Sequence, residues 1–523
     1  MRILLVFFLA IAFSLTTKGQ PPFTVSLQEV SLDNAIGVHS YSNAVDGSKV
    51  LIIGGRTDGL HKRRPFEAFL ENDNNKKLIV IDLETKKTYS SELSQLPTAL
   101  YEQLQSTNQE FEQHGDYLYV TGGYGYSATE RDHITYPSLV KLDYKKVIDA
   151  IINAQDPSSF FSQVNDTRFA VTGGYLHNLN DTFYLVGGQK FTGRYNPMGP
   201  DHGPGFEQDY TNEIRIFTLN SNGEIDYYKA IKDTDHLHRR DYNVVLQKFP
   251  KGEIGMTAFT GVFQYDEDIP WLNVVDIKGE SYNVVKGFEQ KLNQYHSAHL
   301  PVYDSSQNAM HTFFFGGMAQ FTYQDEVLVE DTDVPFVKTI SAVSRDKDGK
   351  LSEFKVGEMP GFLGSGAEFI PASDKIFSSA MLQLNRLNNQ KTLVGYIFGG
   401  IESDEENIFF TFDVDKLSRA SNKLFAVYVD FNANNTRALN TTANSFDFEL
   451  FPNPATNKIF LEFEPSKVVE TSVEIYDGNG KKVLSDSTYE RDLKLNLRKL
   501  ENGTYLLIVR QGNKQSGKVL WKY

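Results

Sequence analysis

Three side chains join a proton-transferring group to a position at the start of an apolar β-type run: Glu368, Asp241 and His39. A general acid or base needs a carboxyl or imidazole aimed at a substrate proton, usually with a tuned pKa. A pair of carboxylates can hydrolyse a glycoside when its separation suits the mechanism; Asp58 stands behind these three as a further carboxylate. The rival reading makes Glu368 and Asp241 braces, each paired with a neighbouring arginine to hold the loops.

A second set has the chemistry of binding. Arg56, Arg168, Arg194 and Arg240 carry forked donors suited to carboxylate or sulfate. With Lys62, Arg63, Arg64, Arg131, Lys190 and Arg239 they form a basic sector, opposed by acidic residues at Asp325, Glu326, Glu330, Asp331 and Asp333 and at Glu402, Asp404, Glu405 and Glu406. Tyr124 and Tyr126, beside Tyr136 and Tyr195, could stack on a sugar. His61, His296 and His299, together with His39 and His238, could meet once the chain folds. The plain readings are a solvated charged loop, arginines bracing a junction, and tyrosines pinning irregular backbone. No helical His-Glu pair or other metal spacing is present, so no metal is expected. The loop DKDGKLSE (346–353) resembles a calcium loop but lacks the full ligand series. No G-x-S-x-G, phosphate loop or dinucleotide fingerprint sits in a strand-helix context, and no cofactor is predicted.

These residues flank a repeated phrase, an apolar run ending in two glycines. It reads KVLIIGG at Lys49–Gly55, YLYVTGG at Tyr117–Gly123, TFYLVGG at Thr182–Gly188, HTFFFGG at His311–Gly317 and VGYIFGG at Val394–Gly400. A degenerate copy, MTAFTG at Met256–Gly261, carries Thr260 in place of the first glycine. LIVIDLE (78–84), SLVKLDY (138–144) and NEIRIFTLN (212–220) follow as third strands. Turns at Asn222-Gly223 and Asp348-Gly349 mark hairpins to fourth strands. The copies stand about 55 to 85 residues apart, more than a minimal propeller repeat of roughly 40 to 50. The excess falls after the glycines, at 56–76, 124–137 and 189–210, where long loops on a rigid scaffold most often bind ligands.

Composition sets outer limits. The 523 residues include 27 Tyr and 38 Phe and no Cys, which removes disulfides, thiolate ligands and thiol nucleophiles. A net charge of -15 argues against a nucleic-acid partner. Arg2 followed by an apolar Ile3–Phe13 and a polar stretch has the zones of a secretory signal peptide, residues 1–19, and no later run approaches a membrane span.

The hydrophobic run, glycine pair, loop and Asp-ending strand resemble the kelch repeat. Six copies imply an all-β, six-bladed kelch-like β-propeller over 21–432. The unpartnered strand FTVSLQEVSLD (23–33) is expected to complete the last blade, protecting sheet edges. A polar linker, 433–445, leads to alternating strands and Gly-rich turns that read as a small β-sandwich, 446–523. Phe451-Pro452-Asn453-Pro454-Ala455, Tyr476-Asp477-Gly478, Gly503-Thr504-Tyr505 and the basic ending resemble the C-terminal type A sorting domain of the Bacteroidetes type IX secretion system. That resemblance implies export to the outer surface or medium, a partnership with the secretion machinery, and removal of the tail. Galactose oxidase also has kelch blades, but its cysteine-tyrosine crosslink is excluded in a chain without cysteine. The leading functional reading is a binding module for a glycan or small acidic sugar. The alternative is a carbohydrate-active enzyme (epimerase or mutarotase, glycoside hydrolase or lyase), for which the kelch-like sialic-acid mutarotase is an analogy of fold that transfers no residue.

Overall fold

The structure is a computed structural model that describes residues 21–199, 202–292, 294–324, 327–387, 390–431, 448–463, 470–477, 481–511 and 514–523. The expected signal peptide and linker, and Asp325, Glu326 and Gly478, lie outside the described residues. The chain divides into two compact units, one built on Val25–Val429 and one joining Pro22–Thr24 to Asp430–Tyr523. No helix among the described residues is long and apolar enough to cross a membrane.

The first unit holds six antiparallel sheets whose core is four strands each. The first to fifth sheets begin with Ser42–Asp46, Thr107–His114, Tyr175–Leu179, Asn243–Lys248 and His299–Asp304, and each continues through its next strands in chain order. The sixth runs Phe362–Pro371, Thr392–Ser403 and Leu424–Asp430, and its outer strand is Thr24–Val30 from the other end of the chain. Second strands such as Lys49–Ile53 and Ala309–Phe315 are buried almost throughout. Fourth strands such as Lys87–Glu92 alternate half-buried and exposed positions, as an edge facing water should. The Gly223 and Gly349 turns join third to fourth strands, as their sequence predicts.

The glycine pair has a structural task that its position alone does not reveal. The second glycine's N–H donates to a carbonyl of the segment leading into the next sheet: Gly55 to Ser106, Gly123 to Val171, Gly188 to Arg239 and Gly317 to Leu363. Gly400 donates in the same way to Val38, which leads into the first sheet. A Cβ on the first glycine would strike that same carbonyl: at Gly54 it would lie 2.7 Å from the Ser106 oxygen, and at Gly122 it would overlap the Val171 oxygen. Both sit at positive φ, 69° and 64°, so side-chain-free backbone is required twice over. Thr260 keeps the conformation at φ 57°, and there the fourth and fifth sheets meet through Val245, Phe259, Phe314 and Val343 instead.

Much of the length after the glycine pairs is sheet rather than irregular loop. Tyr117–Ser127 runs through its glycines and pairs with Asp132–Thr135, and Gln189–Gly193 pairs with Phe206–Tyr210. Once the backbone leaves the glycines extended, pairing with itself satisfies its polar groups. Two helices, Thr98–Leu104 and Tyr144–Ile152, fall between strands. Asp143 caps the second through the Lys146 N–H, and Val147, Ile148 and Ile151 pack into the core shared by the first two sheets. A further insertion, 372–391, places Met381–Gln383 parallel to the first strand of the fifth sheet.

The second unit has two sheets, one of Phe448–Phe451, Lys458–Phe463 and Asp492–Asn496 and one of four strands from Thr471 to Lys522. Phe448, Ile459, Leu461, Val473, Ile475, Leu495, Leu507, Val509 and Leu520 form their common core, a sandwich arrangement.

Candidate functional site

Each sheet of the first unit is preceded by a short lead-in segment, and these segments bond to one another. The Asp241 N–H donates to Gly173 O (2.8 Å), Gly173 to Asn108 (3.3 Å), Asn108 to Ser40 (3.2 Å), Ser40 to Gly366 (2.8 Å) and Gly366 to His296 (2.6 Å). Ser40, Asn108, Gly173, Asp241 and Gly366 all have positive φ; this shared turn aims each N–H at the neighbouring carbonyl. Asn243 spans the remaining joint with its side chain: Oδ1 accepts from the Ser297 N–H (3.1 Å) and Nδ2 donates to Gln294 O (3.0 Å). The six segments thus form one hydrogen-bonded collar.

Past the collar the first strands of all six sheets line a single cavity of about 460 Å³, represented by Asn43, Glu110, His177, Leu246, Pro301 and Glu368. That volume suits a small-molecule ligand. His296 Nε2 stands 3.1 Å from Glu368 Oε1. Burial disfavours charge on His296, but the Glu368 carboxylate outweighs it and raises the histidine's pKa. His177 is held between the Val244 carbonyl, 2.7 Å from Nε2, and the Glu112 carboxylate, 3.5 Å from Nδ1. Burial opposes protonation there too, and Glu112 again wins and raises the pKa. His299, buried beside both imidazoles, is pushed down to about 4.

Glu110 is different in kind. It is 2% exposed, its Oε1 accepts the Gly174 N–H (2.8 Å), and its Oε2 has no hydrogen-bond partner among the described residues. Burial, reinforced by the Asp241 charge, raises its pKa well above the carboxylate range. The Tyr175 hydroxyl, buried and near enough to Glu368 to sense its charge, is likewise without a partner. Unpartnered buried polar atoms are costly in a folded protein. Glu110 Oε2, Tyr175 Oη and His177 Nδ1 are three such atoms on residues that line one cavity.

A second group precedes the collar. Arg56, 2% exposed, grips Asp58 with Nε (2.8 Å) and Nη2 (2.6 Å) and donates to Asn74 (2.9 Å). His39 Nε2 lies 3.7 Å from Asp58. Burial alone would raise the Asp58 pKa, yet the imidazole and guanidinium bring it down to about 2. His61 packs among Phe69, Tyr195 and Phe409, and burial lowers it to about 4. Arg240 pairs with Asp241 and donates to the Tyr210 hydroxyl.

The site residues expected from sequence therefore separate. Glu368, His296 and His299 line the cavity; Asp241 sits in the collar; His39, Arg56, His61 and Arg240 lie before it. Arg168 is elsewhere, paired with Asp166 under the ring of Tyr228 on an outer strand. Arg194 donates to the Phe66 carbonyl. Tyr124 donates to Gly193 O and accepts from the Tyr195 N–H, and Tyr126 packs on His133, so both tie hairpins together. The guanidinium cluster expected to receive an anion is engaged by the chain's own carboxylates and carbonyls. The acidic sector is engaged too where Arg419 and Lys423 hold Glu402. Asp346 of the calcium-like loop accepts the N–H groups of Asp348 and Lys350, and among the described residues no cluster of three His, Asp or Glu could hold a metal.

Sequence reading passed over Glu110, Glu112, Tyr175 and His177. Their signal was available: acids at i and i+2 share one face of a strand, and Thr107–His114 is the strand just before a glycine-pair strand.

Residues 449–522 match the family described as the secretion system C-terminal sorting domain. This tail marks the protein for type IX export and so for the cell surface or the medium. No curated protein matches the chain. Among solved structures it is similar to one described as "Structure of YjhT", at 13% identity and TM-score 0.43 over 75% of this chain and 96% of that one. It is also similar to a "Novel fungal alcohol oxidase with catalytic diversity among the AA5 family, in complex with copper", at 10% identity and TM-score 0.38 over 95% and 99%.

Proposed function

We propose that residues 21–432 are a six-bladed kelch-like propeller, closed by its N-terminal strand, that works outside the cell as a carbohydrate-binding module. Its site is the cavity beneath the collar. One observation carries this reading: first strands from all six sheets converge on that cavity, and three of its lining residues carry a buried polar atom, Glu110 Oε2, Tyr175 Oη and His177 Nδ1, without a hydrogen-bond partner among the described residues. A hydroxyl-rich ligand suits a wall that mixes carboxyl and imidazole groups with the rings of Phe111, Tyr175 and Phe369. An acidic sugar fits less well, because no Lys or Arg lines the cavity and Arg56 and Arg240 are already matched to Asp58 and Asp241. Titrating the exported protein with a panel of neutral, amino, uronic and sulfated saccharides tests the proposal. Failure of every member to bind overturns it.

A carbohydrate-active enzyme is the second reading, favoured by the high-pKa Glu110 carboxyl sharing the cavity with the His296–Glu368 pair. A proton donor and a proton acceptor facing one ligand are the parts of acid-base chemistry. Product analysis after incubation with each bound saccharide separates the readings, since a binding module returns its ligand unchanged. We propose further that the tail is removed on export. Mass spectrometry of exported protein should find a C-terminus before Phe446, and an intact Tyr523 on most molecules contradicts removal.

A further inference from the structure

We propose that the cavity is a blind pocket with one mouth, at the end remote from the collar, and that it takes a saccharide by the end of its chain; this rests on the cavity being the ligand site. The lining residues lie at or beyond the collar in every segment, and among the described residues none that precedes it, such as Arg56, His61 or Arg240, reaches the cavity. Exposure changes along the wall in the same direction. Close to the collar Gln109, Glu110 and Glu368 are buried. The exposed lining residues all stand at the far end: Gln113 late in Thr107–His114, and Asp374, Ser378, Ser379 and Ala380 of the 372–391 insertion, which follows the first strand of the sixth sheet. The collar, whose six segments are bonded to one another right round the ring, is the floor.

The insertion frames the mouth as a fixed rim. Phe377–Ser378 pairs with Met381–Gln383 across a two-residue turn, Ser379 and Ala380, at φ 48° and 55°, the positive values that one kind of tight hairpin turn requires. Leu382 pairs with Val302 on the first strand of the fifth sheet, Met381 is buried against Tyr303 and Met310, and Arg386 donates to the Phe377 carbonyl (2.5 Å). These are the buried contacts that a mobile lid lacks. A ligand entering past this rim meets a closed floor, so an interior stretch of polysaccharide, continuing in both directions, has no way through. A terminal sugar or a free small saccharide fits, and the further units of a chain leave past Gln113, Asp374 and Ser378.

The chain has no cysteine, so a single introduced thiol can be labelled cleanly. Ser378→Cys on the rim and Thr57→Cys, an exposed position beside Arg56 before the collar, are each modified with a maleimide-linked polyethylene glycol. The exported proteins are then titrated calorimetrically with malto-, cello-, xylo- and N-acetylchito-oligosaccharides. The Ser378→Cys adduct should weaken binding at least about tenfold, and the Thr57→Cys adduct should leave it unchanged, with both unlabelled variants binding as the unaltered protein does. The reverse pattern, or no effect of either adduct, overturns the mouth. Size-fractionated polymers of whichever series binds test the end rule: at equal sugar mass, the protein bound should rise in proportion to the number of chain ends. Binding that follows mass alone overturns end recognition but leaves the cavity as a carbohydrate site. If no series binds, the cavity reading falls and the end rule with it.

Discussion

His296 Nε2 and Glu368 Oε1 stand 3.1 Å apart on the wall of the central cavity, contributed by the fifth lead-in segment and the first strand of the sixth sheet. The histidine's pKa is raised because the carboxylate outweighs the burial that opposes charging. A raised histidine stabilises the fold fully below its unfolded pKa, and that contribution is lost as pH rises through the folded value. Glu368→Gln should therefore lower the His296 pKa, read from its ring resonances by NMR. It should cost on the order of 1–3 kcal/mol at pH 5 and less at pH 9, measured by urea unfolding.

Glu110 has linkage of the same sign, though burial and not a partner causes it. Its folded pKa lies well above its ordinary 4.5, so between that value and the folded one the native state holds a proton that the unfolded state has lost. Its contribution to stability falls as pH rises through this window. Glu110→Gln should flatten the decline, giving a smaller loss as pH rises above 4.5 than the unaltered protein shows in parallel denaturant series.

For Asp58 the pKa is lowered to about 2 once Arg56 and His39 outweigh burial. Stability from the ionised group is present above the unfolded carboxylate pKa and is lost as pH falls through about 2. Asp58→Ala strips the buried Arg56 guanidinium of its hydrogen-bonded carboxylate and leaves it only Asp73, 3.7 Å away. It should cost about 3–5 kcal/mol at neutral pH and abolish that acid-limb contribution, as followed by circular dichroism.

The glycine pairs can be tested against their degenerate copy. Gly122→Ala places a methyl against the Val171 carbonyl at φ 64° and should destabilise by on the order of 3 kcal/mol or more. Thr260→Gly, at the copy that already tolerates a side chain at φ 57°, should change stability by no more than about 1 kcal/mol in either direction. Equal effects in thermal unfolding would contradict the role given to the pair.

Asn243 closes the collar at the one joint that lacks the repeated backbone bond, and it is fully buried. Asn243→Ala removes both bonds and should cost about 2–4 kcal/mol. Hydrogen exchange should quicken at the Ser297 amide more than at the Gly173 amide.

The sequence by itself determined the periodic parts of this protein. Glycines at a strand end, the turns at Gly223 and Gly349, and the alternation of the tail each follow from local backbone geometry. Local rules also singled out Glu368, His296 and His299 at the entrances of β runs, and folding places all three on the cavity wall. They did not single out Glu110 or Tyr175, because an unpartnered buried atom is a property of everything around it. Nor could they decide that Arg56 and Arg240 are matched by Asp58 and Asp241. In both cases the carboxylate lies within two residues, but only folding set its orientation and its burial. Tertiary structure also decided which groups share a space: the collar draws lead-in segments from the whole length of the first unit together and separates the cavity carboxyls from the guanidiniums. Charge pairing and desolvation depend on three-dimensional neighbours, so the site's chemistry became readable only when the six sheets met.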